Sequence, residues 1–125
     1  MILGVGIDVV EIDRFGQALE RRGQRLMGRF FTAAEQEYCG SYSFAAPYYS
    51  VRFAAKEAFS KALGYGIAHG IQWVDVEVVR DELGKPGLVL HGRAKELFET
   101  AGGRNIWISL THSRNVAAAT VVLEG

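Results

Sequence analysis

The sequence predicts an α+β fold with mostly antiparallel strands, and three observations carry that prediction. Segments of period-two apolar alternation lie near the start, middle and end of the chain. Helix-forming runs with their own start and stop signals separate them. The last two alternating segments are joined only by the short turn HSRN, which suits an antiparallel pair.

The first element, Ile2 to Ile12, is rich in β-branched residues and reads as a strand. Alternation puts Leu3, Val5, Ile7 and Val9 on one face, and Gly4, Gly6, Asp8 and Val10 on the other. Asp8 thus shares its face with two glycines, which leave space for a ligand or for a close backbone. Asp13 suits the N-cap of a helix through DRFGQALERRGQRL, whose apolar stripe is Phe15, Leu19 and Leu26. The sequence TAAE, Thr32 to Glu35, fits a capping box that opens a short helix past Cys39. After a loop at SYSFAAP, strong helix formers run from about Tyr48 to Leu63, introduced by Pro47 and stopped by Gly64-Tyr65-Gly66. Ile71 to Arg80 alternates as a strand and pairs, through the turn DELGKPG, with Leu88 to Leu90. A helix from Arg93 to Ala101 ends at Gly102-Gly103, and strands Asn105 to Thr111 and Val116 to Leu123 complete the chain. There is no repeat or linker, so residues 1–125 are expected to form one domain.

Composition narrows the function classes. Fourteen basic residues balance fourteen acidic ones, which argues against broad nucleic-acid binding. With Cys39 as the only cysteine, neither an intrachain disulfide nor a cysteine-based zinc cluster can form. No run approaches the roughly 20 apolar residues of a membrane helix. A cytoplasmic protein without membrane contact is expected.

The densest polar segment is VRFAAKEAFSKALGYG. Phe53, Glu57 and Lys61 stack at intervals of four, Gly64 continues their line, and Arg52, Lys56 and Ser60 form the neighbouring stripe. One reading is an exposed helix with a Glu57–Lys61 ion pair. The other couples Glu57 to Asp8: two carboxylates on different elements, near cations and a glycine turn, suit a magnesium–phosphate site. For Asp8 alone, an edge-strand side chain reaching water serves as well.

Gly64-Tyr65-Gly66 could turn backbone N–H groups toward phosphate or simply cap the helix. His112, in SLTHS, stands at a strand end beside hydroxyl groups, but no nucleophile elbow surrounds it, so a turn histidine is the plainer account. His69 and His91 have no metal-ligand spacing and read as surface residues. Arg14, Arg21 and Arg25 align on the first helix, either as a solvated face or as a dock for an acidic partner.

Taken together, GIDVVEIDRF, FT..E at Phe31 to Glu35, RFAAKEAFSKALGYG, DELGKP and SLTHS resemble, in order and spacing, the small phosphopantetheinyl transferases of the holo-acyl-carrier-protein synthase family. That resemblance implies the phosphopantetheinyl transferase fold and a magnesium-dependent transfer. The 4′-phosphopantetheine group of coenzyme A would pass to a serine of apo acyl carrier protein, releasing 3′,5′-ADP. Asp8 and Glu57 would hold the magnesium, and Lys61 would offset charge on the phosphates. Glu57 is the candidate to take the serine proton. Ser60 and Gly64 would be further phosphate-side contacts, with Arg52, Lys85, Pro86 and His112 around the adenosine and its 3′-phosphate. The resemblance also implies a homotrimer with sites between subunits, and a carrier-protein dock at Arg14, Arg21 and Arg25. A binding module without catalysis and a magnesium-dependent hydrolase are the alternatives. The chain departs from the family pattern at Tyr65, at Val51 and through Gly40 to Pro47.

Overall fold

The computed structural model describes all residues of the chain except 66 and 68. Its elements are β1 (Ile2–Glu11), α1 (Ile12–Phe30), α2 (Ala33–Gly40), α3 (Ala46–Leu63), a 3-10 turn (Trp73–Asp75), β2 (Val76–Arg80), β3 (Pro86–Leu90), α4 (Gly92–Thr100), β4 (Asn105–His112) and β5 (Val116–Glu124). One antiparallel sheet has the order β1-β5-β4, and β2 and β3 form a separate hairpin. The expected α+β class with antiparallel pairing is what the chain adopts.

Helix α3 lies on the inner face of the larger sheet, and its small residues explain the fit. Ala54, Ala55, Ala58 and Ala62 are buried with Phe59 against Ala119, Val121 and Leu123 of β5. Clearance is smallest at the glycines of β1. A Cβ on Gly4 would fall 1.8 Å from the Ala62 carbonyl oxygen, and one on Gly6 would fall 1.9 Å from that of Ala58. Of the two uses the sequence left open for these glycines, close backbone approach is the one realised. The branched residues turn outward instead: Val5, Ile7 and Val9 are 60%, 61% and 59% exposed.

Three expectations need correction. Asp13 is not the N-cap of α1; Glu11 holds that place in extended backbone with no side-chain cap bond. Ile12 is instead drawn into the core beside Val51 and Ala117, and its N–H donates to the Asn115 carbonyl at 2.9 Å. Asp13 therefore lies in the first turn, where its charge complements the helix dipole. Helix α1 also runs on to Phe30 and is broken at Gly23, where φ is 58° and ψ is −144°.

The third correction concerns the strand expected from Ile71, which begins only at Val76. Its missing length follows from a buried lysine. Lys56 Nζ donates to the carbonyls of Trp73 and Val76 and to Glu35 Oε1, the last at 2.8 Å. The backbone must fold around that ammonium rather than extend past it. Glu35 is also the far end of the predicted capping box. Thr32 N donates to Glu35 Oε1 at 2.9 Å, and Glu35 N donates to Thr32 Oγ1 at 3.2 Å. Val78 N donates to the second carboxylate oxygen at 2.9 Å, so one acid ties together α2, α3 and β2. Burial lowers the Lys56 pKa, and the Glu35 carboxylate opposes that shift.

Candidate active site

A cleft of about 600 Å³ opens between β1, α1 and α3, lined in part by Asp8, Glu11, Arg14, Phe15, Phe53, Glu57 and Lys61. Its polar groups follow from local periodicities. Strand alternation turns Asp8 toward α3 together with the two glycines, and the helical step of four brings Phe53, Glu57 and Lys61 to the same opening. Arg14 arrives one turn into α1, immediately after the strand that carries Asp8.

Lys61 Nζ donates to Asp8 Oδ1 at 3.0 Å and to the Ile7 carbonyl at 3.1 Å. Its ion-pair partner is thus Asp8, and no Glu57–Lys61 pair occurs among the described residues. The Lys61 side chain is 54% exposed and that of Asp8 16%. A pair so wet contributes little to stability, about 1 kcal/mol at most, and can be exchanged for ligand contacts at small cost. Glu57 is half-buried. Burial raises its pKa, the Asp8 carboxylate raises it further, and Lys61 pulls it back in part.

That shift makes a test of the carboxylate pair. A raised folded-state pKa means that the folded protein holds a proton the unfolded chain has released. Wild-type stability should therefore fall as pH rises from the ordinary glutamate value through the raised one, and level off above. Glu57→Gln lacks that loss. In chelator-containing buffer, the difference in Tm between variant and wild type should grow in the variant's favour across this window. A difference independent of pH would refute the raised Glu57 pKa.

The donor set suits a hard divalent cation. Magnesium ordinarily takes one or two carboxylates and completes its shell with water and phosphate oxygens. Two carboxylates that repel one another at an open cleft offer that chemistry. No group of three or more His, Cys, Asp or Glu side chains forms a metal cage among the described residues. The two carboxylates alone fit magnesium better than they fit zinc, whose sites use three or four protein ligands.

The remaining predicted residues divide. Gly64 caps α3 with φ 86°, and its N–H donates to the Ser60 and Lys61 carbonyls, so the capping role is the one observed. Gly66 lies outside the described residues. Ser60 is buried and donates to the Tyr65 carbonyl, which braces that turn from behind rather than lining the cleft.

Arg52, Lys85, Pro86 and His112 lie away from Asp8. Arg52 is 2% exposed; Nη1 donates to the Tyr48 carbonyl at 3.2 Å, its guanidinium covers the Tyr38 ring at 4.3 Å, and Nε has no partner among the described residues. Lys85 lies over Trp107 at 5.6 Å, Pro86 opens β3, and the His112 ring meets Tyr48 at 5.4 Å. Tyr48 and Lys61 sit about 20 Å apart along α3 at the ordinary helical rise. Arg52 and His112 thus gather at Tyr48, whereas Lys85 lies at Trp107, nearer the start of β4.

The arginines of α1 line two adjoining clefts. Arg21 flanks one that shares Phe15 and Ala18 with the Asp8 cleft, Arg25 lines another with Arg29, and Arg22 and Leu26 border both. Sequence reasoning missed Arg80, which lies over the Tyr38 ring at 5.4 Å, and the tyrosines themselves. The spacing of Tyr38 and Tyr42 by one helical step was the available signal.

Residues 4–121 match the family model described as the 4′-phosphopantetheinyl transferase superfamily. The holo-[acyl-carrier-protein] synthase of Geobacter metallireducens is 52% identical over 124 residues, covering 99% of this chain and 98% of the relative. Among solved structures, the holo-[acyl-carrier-protein] synthase of Neisseria meningitidis superposes with a TM-score of 0.90 at 32% identity, covering all of both chains. That of Bacillus anthracis, in complex with CoA (3′,5′-ADP), gives 0.81 at 34% identity over 98% of this chain and 96% of the other. The Helicobacter pylori synthase in complex with coenzyme A gives 0.85 at 28% identity, over 96% of this chain and 99% of the other.

Proposed function

Because the chain belongs to the 4′-phosphopantetheinyl transferase superfamily and is an enzyme of that type, we propose that it moves 4′-phosphopantetheine from coenzyme A to a serine of apo acyl carrier protein. The observation that carries this reading is the cleft in which Asp8 and Glu57 meet beside Lys61, with Arg14 at its rim.

The serine hydroxyl forms a bond to the phosphorus on the pantetheine side, the pyrophosphate P–O bond breaks, and 3′,5′-ADP departs with the electron pair. Asp8 and Glu57 would hold a magnesium ion there, and when bound it would neutralise charge on the pyrophosphate oxygens. Lys61 keeps a flexible, half-solvated ammonium in reach of the same oxygens. Glu57 is the candidate to receive the serine proton; without the metal, burial and the Asp8 carboxylate raise its pKa.

Arg52, Lys85, Pro86 and His112 would serve the nucleotide half. The distance of Tyr48, where Arg52 and His112 meet, from the Asp8 cleft supports a site shared by two chains. The outward face of β1 and β4, with Val5, Ile7, Val9 and Trp107 exposed, supports the homotrimer that would build it. No helix among the described residues is long and apolar enough to cross a membrane.

Intact-mass measurement tests the reaction. Apo carrier protein incubated with coenzyme A, magnesium and this protein should gain one phosphopantetheine group. Hydrolysis of coenzyme A without that gain would favour a hydrolase, and neither change would favour a binding module. Replacing Arg14 and Arg21 by Glu should raise the KM for carrier protein by about tenfold or more and flatten its salt dependence, with KM for coenzyme A little changed. An unchanged carrier KM would reduce these arginines to a solvated face.

A further inference from the structure

Beyond the Asp8 cleft, the densest cluster of aromatic and cationic groups lies where the α2–α3 connection meets the end of β4. Tyr42 and Tyr48 stack face to face, with ring centroids 3.6 Å apart and planes 10° apart. The Tyr48 ring meets the His112 imidazole edge-on at 5.4 Å. The hydroxyls of Tyr42 and Tyr38 are 3.0 Å apart, and the Tyr38 ring carries the guanidinium of Arg52 at 4.3 Å and that of Arg80 at 5.4 Å. Three tyrosines thus link two guanidiniums to an imidazole. Tyr42 is 37% exposed and His112 is exposed, so the cluster is open to solvent at one end.

Tyr38 and Tyr48 pack against the core beside Cys39 and Tyr49, whereas Tyr42 lies outside that core and presents its ring to solvent. Exposed aromatic stacks flanked by cations are the chemistry that receives a heterocyclic base next to phosphate: the ring faces take the base and the cations take the charge. Neither Arg52 nor Arg80 is paired with a carboxylate among the described residues, and Arg52 Nε has no partner. We propose that Tyr42, backed by Tyr48, is a specificity-determining residue that stacks on the base of the nucleotide half of the substrate. His112 and Arg80 stand beside it for the phosphate. Tyr42 lies within Gly40 to Pro47, the stretch in which this chain departs from the family pattern. The inference rests on the coenzyme A reading and assigns a base-selecting role within it.

Calorimetric titration with 3′,5′-ADP and, separately, with inorganic pyrophosphate tests the assignment on the full-length protein in magnesium. Tyr42→Leu keeps bulk and removes the ring; its affinity for 3′,5′-ADP should fall about tenfold, the scale of one lost base–aromatic stack. Tyr42→Phe keeps the stack without the hydroxyl contact to Tyr38 and should stay within about twofold of wild type. Pyrophosphate, having no base, should bind all three proteins alike, and equal thermal midpoints would show that Tyr42→Leu is folded. Undiminished 3′,5′-ADP affinity in Tyr42→Leu overturns the proposal, as does an equal loss for pyrophosphate, which would mean a general disturbance of the site. If wild-type protein transfers phosphopantetheine while Tyr42→Leu binds 3′,5′-ADP normally, only this inference fails. If wild type binds no 3′,5′-ADP and modifies no carrier, the functional reading falls with it.

Discussion

Asp8→Ala is expected to slow carrier-protein modification by about a hundredfold or more, the usual result of removing one group that stabilises developing charge at a phosphoryl or acyl centre. The fold should survive the change. Asp8 meets Lys61 at the edge of the cleft, and the lysine it leaves behind is 54% exposed and solvated by water. The loss of that pair should cost about 1 kcal/mol or less. Mass spectrometry of the carrier, run across a magnesium titration, separates the possible causes. A variant whose rate returns at high magnesium has lost affinity for the ion, whereas one that stays slow has lost orientation of the phosphates. Asp8→Asn sharpens the comparison, because it keeps an oxygen acceptor for Lys61 and removes only the charge. Full activity in both variants would remove Asp8 from the site.

The second large effect is on stability. Glu35→Ala should lower the unfolding free energy by about 3–5 kcal/mol, because it leaves the Lys56 ammonium buried without its counter-charge. Both side chains are 0% exposed, so water cannot compensate. The same change strands the backbone N–H groups of Thr32 and Val78, which donate to Glu35. Urea denaturation at fixed protein concentration reads the loss. Lys56→Met should cost less than Glu35→Ala, since the carboxylate retains two backbone donors. The double variant Glu35→Ala/Lys56→Met should fall well short of the summed single losses, as expected for partners in one network. Additive losses would mean that the two charges do not support each other.

The legible parts of this molecule were those decided within a few residues. Thr32 and Glu35 form the capping box their spacing announced, and Gly64 stops α3 as a left-handed cap. Arg14, Glu57, Lys61 and Asp8 converge because strand and helix periods alone set which way each points. What failed depended on partners far away in sequence. Alternation divided β1 into two faces without saying which lies inside, and the apolar face proved to be the exposed one. Arg52 and Lys56 looked like neighbours of Glu57 on an open helix. Lys56 is in fact claimed by Glu35, Trp73 and Val76, and Arg52 by Tyr38 and Tyr48. The helix that carries the arginines is broken at Gly23, which no periodicity announced.

Gly4 and Gly6 have a consequence for the evolution of the cleft. Where strand meets helix without side chains between them, the separation is set by backbone atoms, which no substitution elsewhere can thin or thicken. Asp8 rides on that strand and Glu57 on that helix. Interior residues such as Phe98 or Val76 can change size over generations and shift α4 or the hairpin while the gap between the carboxylates keeps its gauge. The two positions that must stay blank give the rest of the core freedom to drift.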